Sequence, residues 1–314
     1  MKTAGKIATS VALMVTAACN AAEPLMADER LSVEQNVVYA QGKTRRGSKP
    51  LLMDIYQLRE PCDTLKPLVV IIHGGAWVRG SKTQSQWDIR AKDAARRGYV
   101  AAAINYRLIP DRPVISDEFL PVRAGLIEAK ADLPSRGTSR KNYANGITAS
   151  IEDTAAALRF LTSDAPEQRC IDTSKIGLWG GSAGGVAAMH VAYGLDEYGI
   201  SIPQPDVVID YWGMMFKDGM MDAQDAPLFI LHGSEDQRVA TQGAYDLKAE
   251  ADAKGVGAAM YIIEGAGHGY SGIRIYDWSQ AVNGLRLLEL TLNFLDAHLK
   301  DDAPAPVYES VIVD

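Results

Sequence analysis

Positive charge is scarce in this sequence: 32 Lys and Arg residues stand against 39 Asp and Glu residues, and the formal net charge is −7. Nucleic acids and anionic membrane surfaces bind proteins that carry a dense basic surface. The sequence therefore argues against both as partners, and the pairs Arg45-Arg46 and Arg96-Arg97 are too short to change this. With 47% hydrophobic and 23% charged residues, the composition is that of an ordinary globular protein.

Internal repeats, low-complexity tracts and proline-rich linkers are also absent, so residues 23–314 are predicted to form a single α/β domain. The sequence has no apolar run that predicts a transmembrane span, since the stretch at residues 7–18 is too short. This stretch follows Lys2 and Lys6 and precedes small residues, which is typical of a secretory signal. We therefore expect residues 1–22 to be a signal peptide and the mature protein to be exported.

Residues 16–19 (TAAC) are similar to a bacterial lipobox, in which the cysteine is lipidated and becomes the new N-terminus. Thr16 stands where a leucine-like residue is usual. Lipid attachment at Cys19 and simple cleavage after Ala21 or Ala22 are both open, so the expected location is the periplasm, the outer membrane as a lipoprotein, or the medium.

Cysteine is rare as well, with three residues in the whole chain. Setting Cys19 aside leaves the pair Cys62 and Cys170, each about six residues ahead of a strand-like run, at residues 68–72 and 176–179. If those strands are parallel neighbours, both thiols lie at the same end of the sheet. An oxidising compartment would then join them in a disulfide.

Strand-like and helix-like patterns alternate along most of the chain, after an antiparallel hairpin predicted at residues 33–40 and 51–56 with a turn at 42–48. This alternation predicts a mostly parallel sheet with helices on both faces. The pattern breaks at residues 109–147, after the fourth strand, where the chain is irregular around one short helix. We interpret this stretch as an insertion that covers the site as a lid.

The run WGGSAGG at residues 179–185 combines a strand end, a sharp turn and the start of a helix. Gly180 and Gly184 leave room for the backbone to turn sharply, which presents Ser182 above the sheet edge as a candidate nucleophile. A glycine-rich turn with an incidental serine is the alternative interpretation, because the G-x-S-x-G pattern alone is weak.

A serine hydroxyl needs an imidazole to take its proton and an acid to orient that imidazole. His268 lies in a glycine-flanked loop at residues 264–270, and Asp236 follows a buried strand. The order Ser182, Asp236, His268 is that of α/β-hydrolases. Asp210 is the main rival for the acid and Glu235 a more distant one. The other histidines are expected to have structural roles: His73 and His232 in turns, His190 in packing, and His298 as a cation at a helix C-terminus.

The run HGGAW at residues 73–77 follows a buried strand and supplies backbone N–H groups for an oxyanion. We assign the donors to Gly75, Ala76 and Ala183, the residue after the nucleophile, and the turn to Gly74. A phosphate-binding loop is the alternative, but the G-x-x-x-x-G-K-[ST] spacing is missing.

Together these motifs resemble those of α/β-hydrolase fold carboxylesterases and lipases, specifically bacterial esterases with an HGG-type oxyanion loop. The resemblance implies an eight-stranded sheet in which the strands leading to His73 and Ser182 are neighbours, which supports the Cys62–Cys170 disulfide. Ala76 and Gly181 depart from the hormone-sensitive-lipase branch, so the chain looks closer to acetyl esterases, feruloyl esterases or kynurenine formamidases.

The resemblance implies a serine hydrolase that cleaves carboxylic esters, small-molecule or carbohydrate, with no metal or cofactor. Two alternatives stay open: a peptidase or amidase, either prolyl-oligopeptidase-like or formamidase-like, and a non-catalytic binding protein on the same fold. Trp77, Trp212 and Tyr270 either line a substrate pocket or belong to the core.

Overall fold

The computed structural model describes residues 30–129, 139–270 and 281–313. Nine strands form the main sheet in the order β1-β2-β4-β3-β5-β6-β7-β8-β11, which is parallel from β4 to β11. The strands are β1 (Leu31–Thr44), β2 (Gly47–Leu58), β3 (Lys66–Ile72), β4 (Val100–Ile104), β5 (Ile171–Gly181), β6 (Val207–Tyr211), β7 (Leu228–Gly233), β8 (Ala258–Ile263), β9 (Ala281–Val282), β10 (Leu285–Arg286) and β11 (Ser310–Val313). The predicted mostly parallel sheet is confirmed.

The helices are α1 (Trp87–Arg96), α2 (Leu120–Glu128), α3 (Arg140–Ser163), α4 (Ala183–Gly194), α5 (Gln242–Lys254) and α6 (Leu287–Leu299). Strand β3 explains why they lie on two faces, because successive side chains of a strand point to opposite sides of the sheet. Leu68 and Val70 pack in the cluster that contains α3 and α4. Val69 and Ile71 pack in the cluster that contains α1 and α6. The sequence of a strand that is buried on both faces is therefore a continuous apolar run.

The number of strands in the main sheet was predicted wrongly as eight. The additional strand, β11, pairs in parallel with β8 at the sheet edge. It is only four residues long and partly exposed, so its pattern carries little signal. The last helix was also expected near residue 278, which lies outside the described residues, and it begins at Leu287.

The hairpin at the other edge of the sheet is longer than predicted. Its strands pair as far as Thr44 and Gly47, so Arg45 and Arg46 form the turn that was expected over residues 42–48. The polar residues near the tip belong to an exposed two-stranded ribbon, where burial does not impose apolar alternation. Gly47 has φ +125°, a conformation that favours glycine at this turn.

The insertion was predicted wrongly as irregular up to residue 147, because α3 begins at Arg140 after the N-cap Ser139. Gly146 obscured the helical pattern, yet it is required there: a Cβ would lie 2.5 Å from Cγ1 of Ile109. The insertion is anchored by the buried Arg107 guanidinium, which donates to the carbonyl oxygens of Lys43 and Val114 and to the Asp153 carboxylate. A lid function stays a prediction, since residues 130–138 lie outside the described residues.

Cys62 and Cys170 are joined by a disulfide, with 5.6 Å between their Cα atoms. Strand β3 is the neighbour of β5, and Lys66 pairs with Ile171 at the end where both cysteines lie. The parallel pairing therefore brings together two residues that are 108 positions apart. Cys19 and the predicted signal lie outside the described residues. In the described part of the chain, no helix combines the length and the apolar character that crossing a bilayer requires.

Candidate active site

Ser182 lies in the tight turn between β5 and α4, with φ 54° and ψ −122°. This is a sparsely populated conformation for a residue with a side chain. Gly180 and Gly184 make the turn possible: a Cβ at Gly180 would lie 2.2 Å from the Gly184 carbonyl oxygen, and one at Gly184 would lie 2.1 Å from that of Ile72. The Ser182 N–H donates to the Tyr211 carbonyl at 2.8 Å, which ties the turn to β6.

Three side chains from three loops form a continuous row of hydrogen bonds. Ser182 Oγ lies 2.9 Å from Nε2 of His268. Nδ1 of the same ring lies 2.7 Å from Oδ2 of Asp236. Ser182, Asp236 and His268 come from the loops after β5, β7 and β8, so the parallel order of these strands delivers all three to one edge of the sheet. The arrangement can remove a proton from Ser182 and hold it on His268.

Asp236 is held as an ionised acceptor. Its Oδ1 accepts hydrogen bonds from the N–H groups of Arg238 at 2.8 Å and Val239 at 3.0 Å. Burial opposes ionisation, but hydrogen bonds to His232 and His268 hold the pKa of Asp236 well below its usual value. The carboxylate therefore keeps its charge opposite the imidazole.

His232 is a contributor that the sequence interpretation placed only in a turn. Its Nε2 lies 3.3 Å from Oδ2 of Asp236 and 3.0 Å from the Val239 carbonyl oxygen. Burial lowers the pKa of His232. The hydrogen bond with Asp236 and the other contacts of the ring together outweigh this effect, so the net shift of the pKa is upward. The four-residue spacing from His232 to Asp236 is the only signal in the sequence that could have suggested this contact.

The two rival acids are not in contact with His268 in the structure. Asp210 is fully buried at the end of β6, where its Oδ2 accepts from the Gly213 N–H at 3.1 Å. Burial raises its pKa to about 7, partly offset by the nearby His232. Glu235 is exposed, and its backbone N–H donates a hydrogen bond to the Ala266 carbonyl oxygen.

The loop after β3 packs directly against the serine turn. A Cβ at Gly74 would lie 2.9 Å from the Gly181 carbonyl oxygen and 3.3 Å from Ser182 Cβ. Gly75 has φ +125° and Ala76 has φ 53°, so the backbone is not extended here and its amides are not part of a regular strand ladder. Ala183 is the first residue of α4, where the N–H has no intrahelical acceptor. These three amides are positioned as candidate oxyanion donors.

Replacing Gly75 by Ala should lower kcat about a hundredfold to a thousandfold, the cost of losing one oxyanion donor. The added Cβ would lie 1.9 Å from the Arg79 carbonyl oxygen, so the loop has to move. Gly47→Ala is a matched control, because Gly47 has the same φ of +125° and no atom of the described residues lies within 4 Å of the position that an added Cβ would take. Steady-state kinetics on a neutral nitrophenyl ester measures kcat of both variants, and thermal unfolding shows whether each variant is folded. A folded Gly75→Ala protein with unchanged kcat contradicts the assignment.

The three aromatic residues considered for the pocket have different positions. Trp77 is fully buried, and its Nε1 donates to Ser150 Oγ at 3.0 Å, so it is a core residue. Trp212 is 7% exposed, and its ring centroid lies 6.3 Å from that of His268, so it borders the site. Tyr270 lies beside His268 in the chain, and its side chain is outside the described set.

The remaining histidines have structural contacts, with His73 and His190 buried and His298 half-buried. His73 stacks on Tyr106 with 4.2 Å between ring centroids, and burial lowers its pKa to about 4. Burial also lowers the pKa of His190 to about 4. The expectation of a cationic His298 is wrong for the same reason, since burial against its neighbours lowers its pKa to about 4.

Within residues 30–129, 139–270 and 281–313, no cluster of three or more His, Cys, Asp or Glu residues could hold a metal ion.

Comparison with known families divides the chain into two matched parts. A family model described as BD-FAE matches residues 53–117 and 139–201, which include the HGGAW run at residues 73–77 and Ser182. A model of the prolyl oligopeptidase family matches residues 211–302, which include Asp236 and His268. Each model covers less than half of the chain.

Individual relatives are distant. Esterase LipC of Mycobacterium tuberculosis is 24% identical over 237 residues, which are 70% of this chain and 57% of LipC. The chain spans less than two thirds of this relative and smaller shares of the other curated relatives that it matches.

Among solved structures, esterase 2 of Thermogutta terrifontis has a TM-score of 0.59 at 21% identity, covering 85% of this chain and 94% of that one. A truncated carbohydrate esterase from gut microbiota has a TM-score of 0.58 at 19% identity, covering 88% and 99%.

The sheet order, the serine turn and these matches define the class of the protein: it has the α/β-hydrolase fold. Within that class its relatives and structural neighbours include bacterial esterases, as the sequence motifs implied.

Proposed function

We propose that this protein hydrolyses carboxylic esters through a covalent acyl-enzyme on Ser182. The observation that carries the proposal is the hydrogen-bonded row in which Nε2 of His268 lies 2.9 Å from Ser182 Oγ while Nδ1 lies 2.7 Å from Asp236. A serine, a histidine and a buried carboxylate in this order form the proton-transfer machinery of serine hydrolases. The matched and neighbouring esterases support the same chemistry.

In the first half of the reaction, Ser182 Oγ attacks the acyl carbon while His268 accepts its proton through Nε2. Negative charge develops on the carbonyl oxygen, where the amides of Gly75, Ala76 and Ala183 stabilise it. His268 then donates the proton to the leaving alcohol. Asp236 stabilises the imidazolium throughout, because its charge and geometry are fixed by the amides of Arg238 and Val239.

In the second half, water replaces the alcohol. His268 removes a proton from the water, which attacks the acyl carbon, and the acid is released as Ser182 regains its proton. Every proton passes through one imidazole, so the proposal needs no metal or cofactor. A small-molecule or carbohydrate ester fits this chemistry, and the similarity to a structure described as a carbohydrate esterase supports the carbohydrate choice.

A peptidase or amidase is the second candidate, and the prolyl oligopeptidase match over residues 211–302 favours it. Nitrophenyl acetate and butyrate, acetylated xylan and feruloylated sugars should be compared with peptide and formyl anilides. Turnover of esters but not of anilides supports the proposal, and the reverse preference overturns it. A protein that turns over neither class and does not react with a fluorophosphonate probe would be a non-catalytic binding protein instead.

We also propose that the mature protein is exported, with residues 1–22 as its signal. The disulfide between Cys62 and Cys170 supports this, because disulfides persist in oxidising compartments. Mass spectrometry of the mature N-terminus distinguishes the two forms: a lipidated Cys19, or an unmodified terminus after Ala21 or Ala22. A full-length chain with both thiols free in cells would contradict the proposal.

A further inference from the structure

A cavity with a strongly positive lining lies where the hairpin turn, the insertion and the start of α3 meet. Its volume is about 620 Å³. Three arginines line it, Arg45 and Arg46 from the hairpin turn and Arg112 from the insertion, together with Asn142 and Asn145 of α3. Among the described residues that line it, none is acidic. In a chain of net charge −7, such a concentration of positive charge needs an explanation.

The three guanidinium groups have no carboxylate partner in the part of the chain that the structure describes. The nearby acid Asp111 is already neutralised by Lys49, at 2.6 Å between Nζ and Oδ2. Arg45 and Arg112 are held side by side because the Arg45 N–H donates to the Arg112 carbonyl at 3.0 Å. The backbone therefore fixes the cluster, while the charged ends stay available.

The N-terminus of α3 adds to this positive potential. The helix begins at Arg140, so Asn142 at the cavity wall lies in its first turn. The first turn of a helix carries the positive end of the helix dipole. Amide groups of Asn142 and Asn145 supply further polar contacts, so the cavity combines charge with hydrogen-bonding groups on a regular element.

Ile109 connects the cavity to the oxyanion loop. It lines the cavity, and its N–H donates to the Trp77 carbonyl at 2.7 Å. Trp77 follows Gly74 by three residues, and Gly74 lies against Ser182. Three Cα–Cα steps span at most about 11 Å. The contacts of Ser182 with Gly74 and of Trp77 with Ile109 add to this span, so the path from Ser182 to the cavity is on the order of 20 Å when fully extended. A substrate held at Ser182 reaches the arginines only if it extends beyond the reacting ester along that path.

We infer that this cavity binds an anionic group of the substrate, so that the preferred ester carries a carboxylate some distance from the bond that is cleaved. The inference rests on the proposed ester hydrolysis. Guanidinium groups match the planar carboxylate and bind it through two parallel hydrogen bonds. The carboxylate can belong to the acyl part, as in a hemiester of a dicarboxylic acid, or to the alcohol part, as in a uronate-bearing sugar.

The test compares charged and neutral substrates of the same length. On the acyl side, nitrophenyl hemiesters of adipic and sebacic acid are paired with their methyl-capped diesters. On the alcohol side, acetylated xylo-oligosaccharides are compared with and without a glucuronate branch. In at least one arm the charged substrate should have the lower KM. The Arg45→Gln/Arg46→Gln variant should raise the KM of the charged substrate about tenfold with kcat unchanged. The KM of the neutral substrate should stay the same.

The matched control is Lys248→Gln/Lys254→Gln, which also removes two positive charges, but from α5. It should leave the KM and kcat of all six substrates unchanged. Arg112→Gln tests the third arginine in the same way. If charged and neutral substrates have equal KM in both arms, or if the arginine variants behave like the lysine control, the inference is wrong.

Calorimetry with sebacate alone separates this inference from the proposed function. Sebacate should bind the wild-type protein, about tenfold more weakly to Arg45→Gln/Arg46→Gln, and more weakly as salt increases. Failure of every ester to react would refute the proposed hydrolysis while this binding difference still stands. Hydrolysis of neutral esters without any binding of sebacate would refute only the anionic cavity.

Discussion

Ser182→Ala should lower kcat/KM for a nitrophenyl ester about a million-fold, the loss seen when a serine hydrolase loses its nucleophile. The reason is geometric as well as chemical, because Oγ of Ser182 is the atom that lies 2.9 Å from Nε2 of His268, the proposed general base. Alanine keeps the turn but leaves His268 with no hydroxyl to deprotonate. Labelling by a fluorophosphonate probe should disappear with the activity.

Ser182→Gly is the informative second variant, since it also lacks the hydroxyl. Ser182 has φ 54° and ψ −122°, which strains any residue with a Cβ and suits glycine. Both variants should be inactive, and Ser182→Gly should be more stable than Ser182→Ala by about 1 kcal/mol. Thermal unfolding measures the difference. Undiminished ester hydrolysis by folded Ser182→Ala would end the proposed mechanism.

The sheet and the serine turn could be predicted because their signals are local. Apolar runs such as β3 and β4, with helix α1 between them, predict a mostly parallel sheet, because parallel neighbours need a crossover connection. Gly180 and Gly184 mark the turn because only their missing side chains allow it. Given that frame, residues after parallel strands meet at one edge, so His268 and Asp236 could be chosen from chain order.

Features that depend on long-range packing could not be predicted. The contact of His232 with Asp236 depends on the path of the loop after β7, and a histidine before a glycine suggests a turn equally well. The start of α3 was missed because Gly146 makes sense only beside Ile109. The arginine cavity combines a hairpin turn, an insertion and a helix start that are distant in sequence.

Asp236→Asn should lower kcat about ten-thousandfold. Oδ1 of Asp236 accepts from the N–H groups of Arg238 and Val239, so an asparagine at this position has to keep its carbonyl oxygen there. Its NH₂ group then faces His268 and donates to Nδ1. The ring is forced into the tautomer that carries its proton on Nε2, and such a ring cannot take the proton of Ser182.

Asp210→Asn is the matched control, because it is the same substitution in the rival acid. Oδ2 of Asp210 accepts from Gly213, and the carboxyl group has no hydrogen bond with His268 in the structure. We expect less than a tenfold change in kcat, since the remaining influence of this charge passes through His232. Steady-state kinetics on both folded variants decides between the two acids. A large loss with Asp210→Asn and a small one with Asp236→Asn would transfer the acid's role to Asp210 and require the loop after β7 to rearrange during catalysis.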